Sequence, residues 1–371
     1  MSHRALAGVV AALLLPTAAA SAQDPGRWKL SNTDATPTEY FQGLTHGPQG
    51  VFWIGPFDGA YRTDANLKES ARTTLIYPDD VQAIGFNHAG DPTYDPSEGG
   101  RLIAPMECYH PDHQPANTCG LGGFGVLDPT TLAWKYWVRL DQADIPKAMW
   151  AEVSPDGQLI WTSSGSDLLA YRTADITQAN AASGADSPPI HPVQRLAGAV
   201  PPSGVTGAVF VGGRLFLAGD VDGLLQVRSV DLTGATPTRI EIQRPASDHG
   251  ESEGLDLLDM RGGTLHWLWS PLVTDPTYGT GHTELLTFVP AAQAKLRVAV
   301  KRRGKGARAT VTHRFAGKVH PVAGALVRLG TQKATTNAAG VAGFKKVPAR
   351  RLKASVTKLE LVKATATLPA Q

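Results

Sequence analysis

Carboxylates stand at one recurring place in this chain, just before or at the start of short apolar strands that repeat along it. Asp91, Glu152 and Glu253 hold that place, with His46, His88 and His249 close to it. Such residues are far apart in sequence, yet they converge if their strands line one channel. Carboxylates gathered in a funnel suit calcium, a hard cation that takes six to eight oxygens. Held there, the ion would polarise a substrate oxygen as a Lewis acid, with His46 or His249 as acid or base. Each residue also has a plainer reading. Asp91 precedes Pro92, a pair that commonly starts a turn. Glu152 and Glu253 also suit buried hydrogen bonds that fix neighbouring sheets, and the histidines suit structural or exposed positions.

A second group is compact. Cys108 and Cys119 are the two cysteines of the chain, and His110 and His113 lie between them. Four such ligands are enough for tetrahedral zinc. A close pair in an exported chain more often forms a disulfide closing a surface loop, and that is the expectation here.

The elements that must position these residues are strands. Glycine (39) and proline (27) are abundant, and no stretch after residue 22 keeps a helical apolar period for long. A unit recurs in which a Gly-rich turn precedes a short apolar strand and a second strand follows: Gln49 to Arg62, Gly99 to Asp128, Asp156 to Tyr171, Gly212 to Val227 and Gly262 to Phe288. Five units spaced by roughly fifty residues are close to a propeller blade plus loops. The sequence therefore predicts an all-β fold, a five-bladed β-propeller over 28–290 for which Trp28 to Gly43 could supply closing strands, with six blades as the alternative if that segment belongs to another unit.

These units resemble the blades of the β-propeller superfamily, and Val153-Ser154-Pro155-Asp156-Gly157 is the hairpin turn many such blades use. Glu253-Gly254-Leu255 is similar to the Glu-Gly element of the calcium-dependent lactonase and phosphotriesterase-like propellers. That resemblance implies a metal-binding role for Glu253; Asp91 and Glu152 are placed beside it by their phase in the repeat.

After a short linker over 291–294 the pattern changes to alternating apolar and polar residues, as in Leu296 to Lys301 and Ala309 to His313, which predicts a β-sandwich over 295–371. Its sequence looks like the carboxypeptidase regulatory-like and bacterial immunoglobulin-like modules. Charge divides the chain at the same point. Residues 291–371 hold eighteen Lys and Arg against one acid, Glu360, whereas residues 23–290 hold sixteen against thirty-two Asp and Glu. Lys301, Arg302, Arg303 and Lys305 form one basic cluster; Lys345, Lys346, Arg350, Arg351 and Lys353 form the others. No aromatics are interleaved, so a stacking platform for nucleic acid is missing. The partner expected from the charge is an anionic wall polymer, glycan or lipid surface, or else the acidic propeller itself.

Residues 1–22 read as a secretory signal: Arg4, an apolar run from Ala5 to Leu15, and Ala20-Ser21-Ala22. The apolar run falls short of the roughly twenty residues a membrane helix needs. Sequence alone thus favours an exported non-catalytic binding or adhesion protein, with the sandwich holding a recognition propeller on an anionic surface. The alternative is a calcium-dependent hydrolase acting in the propeller channel.

Overall fold

The computed structural model describes residues 28–369 apart from 291–295 and short internal stretches, the longest being 234–238, 246–249, 259–263 and 272–282. The expected leader, His249 and the linker lie outside the described residues.

Five antiparallel sheets occupy 28–290. Their inner strands are Gly43–Gly47, the interrupted pair His88–Ala89 and Thr93–Asp95, then Glu152–Val153, Gly207–Val211 and Gly250–Leu258. Each touches the next in cyclic order, and the last returns to the first. This is a β-propeller. Its strands read as apolar runs because both faces of a blade are covered by neighbours: all five residues of Gly50–Ile54 and all seven of Arg101–Glu107 are buried. The turn at Pro155 forms as expected, with Gly157 at φ 71° and its N–H donating to the Ser154 carbonyl.

Ring closure comes from the far end of the sequence. Trp28–Thr36 pairs antiparallel with Thr283–Pro290, from Trp28 opposite Pro290 to Thr36 opposite Thr283. The early segment is therefore the outer strand of the last sheet rather than part of a further unit. Closure leaves a strand-rich chain with only short, protected sheet edges.

Cys108 and Cys119 are joined in a disulfide. It ties the end of the buried strand Arg101–Glu107 to the loop that follows, and the sulfurs are thereby removed from any zinc site.

Two further sheets form a sandwich. One contains Arg297–Arg303, Gly306–Phe315, Lys318–Pro321 and Val341–Phe344; the other contains Gln332–Thr335, Leu326–Leu329, Leu352–Lys358 and Leu361–Leu368. Alternate residues face inward, so Ala307, Ala309 and Val311 of the first sheet share a core with Val327, Leu329, Ala354 and Val356 of the second. The core is built largely from small aliphatic side chains.

Candidate active site

Asp91 sits at the centre of the propeller, 0% exposed. Its Oδ1 accepts from Leu44 N–H at 2.9 Å, and its Oδ2 accepts from Ala208 N–H at 3.0 Å and Leu255 N–H at 3.2 Å. Its own N–H donates to the Met149 carbonyl, and its carbonyl accepts from Ala151 N–H. One aspartate thereby ties its own inner strand to all four others. The approach is close enough to require glycine. A Cβ on Gly254 would lie 2.8 Å from Gly43 Cα and 2.9 Å from Asp91 Oδ1, and Gly254 has φ 57°, a conformation side chains disfavour. Burial raises the Asp91 pKa well above the carboxylate range, and the three N–H donors oppose that shift.

Asp91 divides the channel into two mouths. Residues ahead of its level on the inner strands open to one side, here the upper mouth; residues beyond it open to the lower. Glu253 belongs to the upper mouth. The pairing of Gly250–Leu258 with its neighbour slips between Ser252 and Leu255, so Glu253 and Gly254 form a β-bulge, a device that re-aims side chains beside active sites. Glu107 lies there too, 1% exposed, because its strand pairs it opposite His88. Asp220 and Glu251 complete the group. Burial, followed by the charges of Glu251, Asp91, Asp220 and Glu107, pushes the Glu253 pKa well above the usual range. Glu251 is raised by burial and by Asp220, and Asp220 by burial against a backbone hydrogen bond from Ser252.

This mouth has unmet polar groups. Glu107 Oε2, Asp220 Oδ1 and Thr206 Oγ1 are buried without a hydrogen-bond partner. His88 Nδ1 lies 2.9 Å from Glu107 Oε1 but is not aligned for a hydrogen bond, and Lys147 Nζ lies 3.8 Å from Glu107 Oε2. A buried polar atom left unpaired costs about 1–3 kcal/mol. Such atoms can be met by the polar groups of a ligand or by ordered water.

The lower mouth holds the other candidates. Glu152 Oε1 accepts from Phe210 N–H and Oε2 from Thr93 Oγ1, both at 3.0 Å. Burial, with the Asp256 charge adding to it, pushes its pKa up to about 8. His46 Nδ1 is 2.8 Å from Asp256 Oδ2. A carboxyl with a higher pKa folded than unfolded binds more protons in the folded state, so its stabilising share is full below about pH 4.3 and is lost as pH rises through the folded value. Glu253, Glu251 and Asp220 act in the same direction. Thermal midpoints should therefore fall between pH 5 and pH 8.5, less steeply in Glu152→Gln. A wild-type midpoint that climbs over this range would refute the assignment.

Asp91, Glu152 and Glu253 are thus not brought around one point. Asp91 has both oxygens engaged by backbone, Glu152 faces the lower mouth beside His46, and Glu253 faces the upper. This arrangement does not fit a calcium ion held by the three together. The upper-mouth acids do not form a preformed cage either. Among the described residues, the group of three ligand-type side chains whose atoms lie within 4.8 Å of one another is Asp141, Asp144 and His191, a possible acidic metal site on the outer surface. There Arg195 Nη2 already stands 2.6 Å from Asp144.

Three upper-mouth residues escape the sequence argument or stand at its edge. Asp220 has no signal, being one polar residue near the end of the strand Arg214–Val221. Glu251 falls inside the acidic run before Gly254. Glu107 carries the clearest mark, a lone charge ending the apolar run Leu102-Ile103-Ala104-Pro105-Met106.

The architecture and channel define a β-propeller with a titratable central site. No family model matches the chain, and no curated protein matches it. Solved structures to which it is similar include an exo-β-1,3-galactanase from Phanerochaete chrysosporium with β-1,3-galactotriose (9% identity, 91% of this chain and 94% of that one, TM-score 0.45), glutaminyl cyclase from Myxococcus xanthus (11%, 71% and 95%, 0.42) and a PQQ-bound aldose sugar dehydrogenase from Streptomyces coelicolor (12%, 71% and 98%, 0.35). The expectation of a non-catalytic recognition protein is corrected at this point. The channel concentrates buried carboxyls with displaced pKa values, a feature that clusters at catalytic sites.

Proposed function

We propose that the protein is a hydrolase acting at the upper mouth of the propeller channel. The observation that carries this reading is the presence there of a buried carboxyl whose pKa is pushed up, Glu253, together with a buried carboxyl oxygen that lacks a hydrogen-bond donor, Glu107 Oε2. Glu253 gives its proton to the leaving oxygen. Glu107 accepts a proton from the attacking water, whose oxygen bonds to the carbon released. A two-carboxyl division of this kind supports hydrolysis of a carbon–oxygen bond. The excess of acids at the mouth repels an anionic phosphoester and favours a neutral substrate, a glycoside or lactone. The disulfide supports export, since such bonds persist in oxidising compartments.

The test is a panel of aryl glycosides, lactones and phosphodiesters assayed with and without chelator. Turnover of a neutral substrate that survives chelation is the expected result. Turnover confined to phosphodiesters, or none at all, would sink the proposal. Loss on chelation with recovery in calcium would replace proton transfer by a cation-dependent reaction.

A further inference from the structure

The sandwich carries a face for which its own sequence supplies almost no counter-charge. Along Arg297–Arg303 the side chains alternate: Val298 and Val300 pack against the core, while Arg297, Lys301 and Arg303 are exposed on the other side. Directly opposite Lys301 on the neighbouring strand is Arg308, also exposed. Gly343 pairs with Arg308 from the third strand and leaves its surface open, and Lys345 follows just beyond. Like charges opposite each other on a sheet are destabilising, with Cβ atoms only about 4.5–5.5 Å apart. The single acid after Pro290 is Glu360. A fold that keeps such a pair unrelieved has the arrangement of a surface completed by something else.

Not every basic residue near this end belongs to the face. Arg302 points to the other side, and its guanidinium donates to the carbonyls of Pro348, Ala349, Arg350 and Pro369 at 2.9–3.1 Å. It is a clamp on the chain, which corrects its expected role in polyanion binding. Arg297 and Arg308, absent from the clusters read in the sequence, take its place.

We infer that the face formed by Arg297, Lys301, Arg303, Arg308 and Lys345 binds a linear anionic polysaccharide. Side chains on this side of a strand recur every second residue, about 6.6–6.8 Å; cations fill three of the four such positions over 297–303, Ala299 being the exception, and Arg308 adds one across the ladder, giving a flat array suited to a polymer with repeated acid groups. Nucleic acid would use aromatic platforms, and none is among the described residues of this face. A lipid surface would be joined by apolar insertion, for which the sheet offers, among the described residues, one exposed large aliphatic, Val319. This inference is independent of the hydrolase proposal.

The test uses the full chain and a variant with Arg297, Lys301, Arg303 and Arg308 each changed to Gln, on immobilised polygalacturonate, neutral dextran, phosphatidylglycerol vesicles and a single-stranded oligonucleotide. Wild type should be retained on polygalacturonate at 50 mM salt and released well before 1 M, because the Debye length shrinks from about 10 Å at 0.1 M to about 3 Å at 1 M. The variant should bind at least tenfold more weakly while melting no lower, since relieving the Lys301–Arg308 repulsion does not cost stability. Equal binding by the variant overturns the inference. So does a wild type that ignores polygalacturonate at low salt, the result expected if the acidic propeller covers the face, and so does tighter binding to vesicles or oligonucleotide.

Discussion

Asp91→Ala is expected to remove most of the stability of the propeller. The substitution leaves the backbone N–H groups of Leu44, Ala208 and Leu255 without their acceptor in a site that water does not reach. Each orphaned buried donor costs about 1–3 kcal/mol, so three together rival the 5–15 kcal/mol by which a typical domain is stable. The three belong to three different sheets, and the loss therefore falls on ring closure rather than on one hairpin. Asp91→Asn should do less harm, because the amide keeps one acceptor oxygen while turning a donor towards N–H groups. Thermal and urea unfolding of both variants would check this order. An Asp91→Ala protein that melts within a few degrees of wild type would show that the inner strands do not depend on the tie.

The same residue shows how far the sequence could be read. Its phase in the repeat places Asp91 at the channel, and the structure puts it there. What the phase does not contain is the direction of the carboxyl, which is decided by N–H groups 47, 117 and 164 residues away. Glu152 and Glu253 likewise reach the channel as their phase predicts, but a parallel ring of strands has two ends, and nothing in a one-dimensional repeat says which end a residue one or two positions off the level will face. Glu253 reaches the upper mouth through a bulge, an extra residue that breaks the alternation on which such predictions rest. Glu107 is harder to place for the opposite reason: it continues a strand whose apolar neighbours read as core, and its lone charge is the one mark that sets it apart. Local signals fared better. The turn at Pro155, the Cys108–Cys119 bond and the alternation of the sandwich each depend on residues close in sequence.

Glu253→Gln should abolish turnover while leaving the protein at least as stable, and the opposed directions of these two effects are the point of the experiment. Loss of a positioned general acid typically costs a factor of about 10²–10⁴ in rate. Glutamine keeps the size and polarity of the side chain but has no proton to give the leaving oxygen. For stability the sign reverses. The Glu253 pKa is higher folded than unfolded, through burial first and then the charges of Glu251, Asp91, Asp220 and Glu107. Its contribution is therefore greatest in acid and declines as pH rises above about 4.3, the unfolded value. Glutamine does not titrate, so the variant should gain on wild type as the pH is raised, and the difference in melting temperature between pH 5 and pH 8.5 should be smaller than in wild type. A residue that served only as a buried hydrogen-bonding group would give the other pattern, with activity and melting temperature falling together. If Glu253→Gln retains full turnover on the substrate found by the panel, the proton donor lies elsewhere and the upper mouth loses its claim to be the active site.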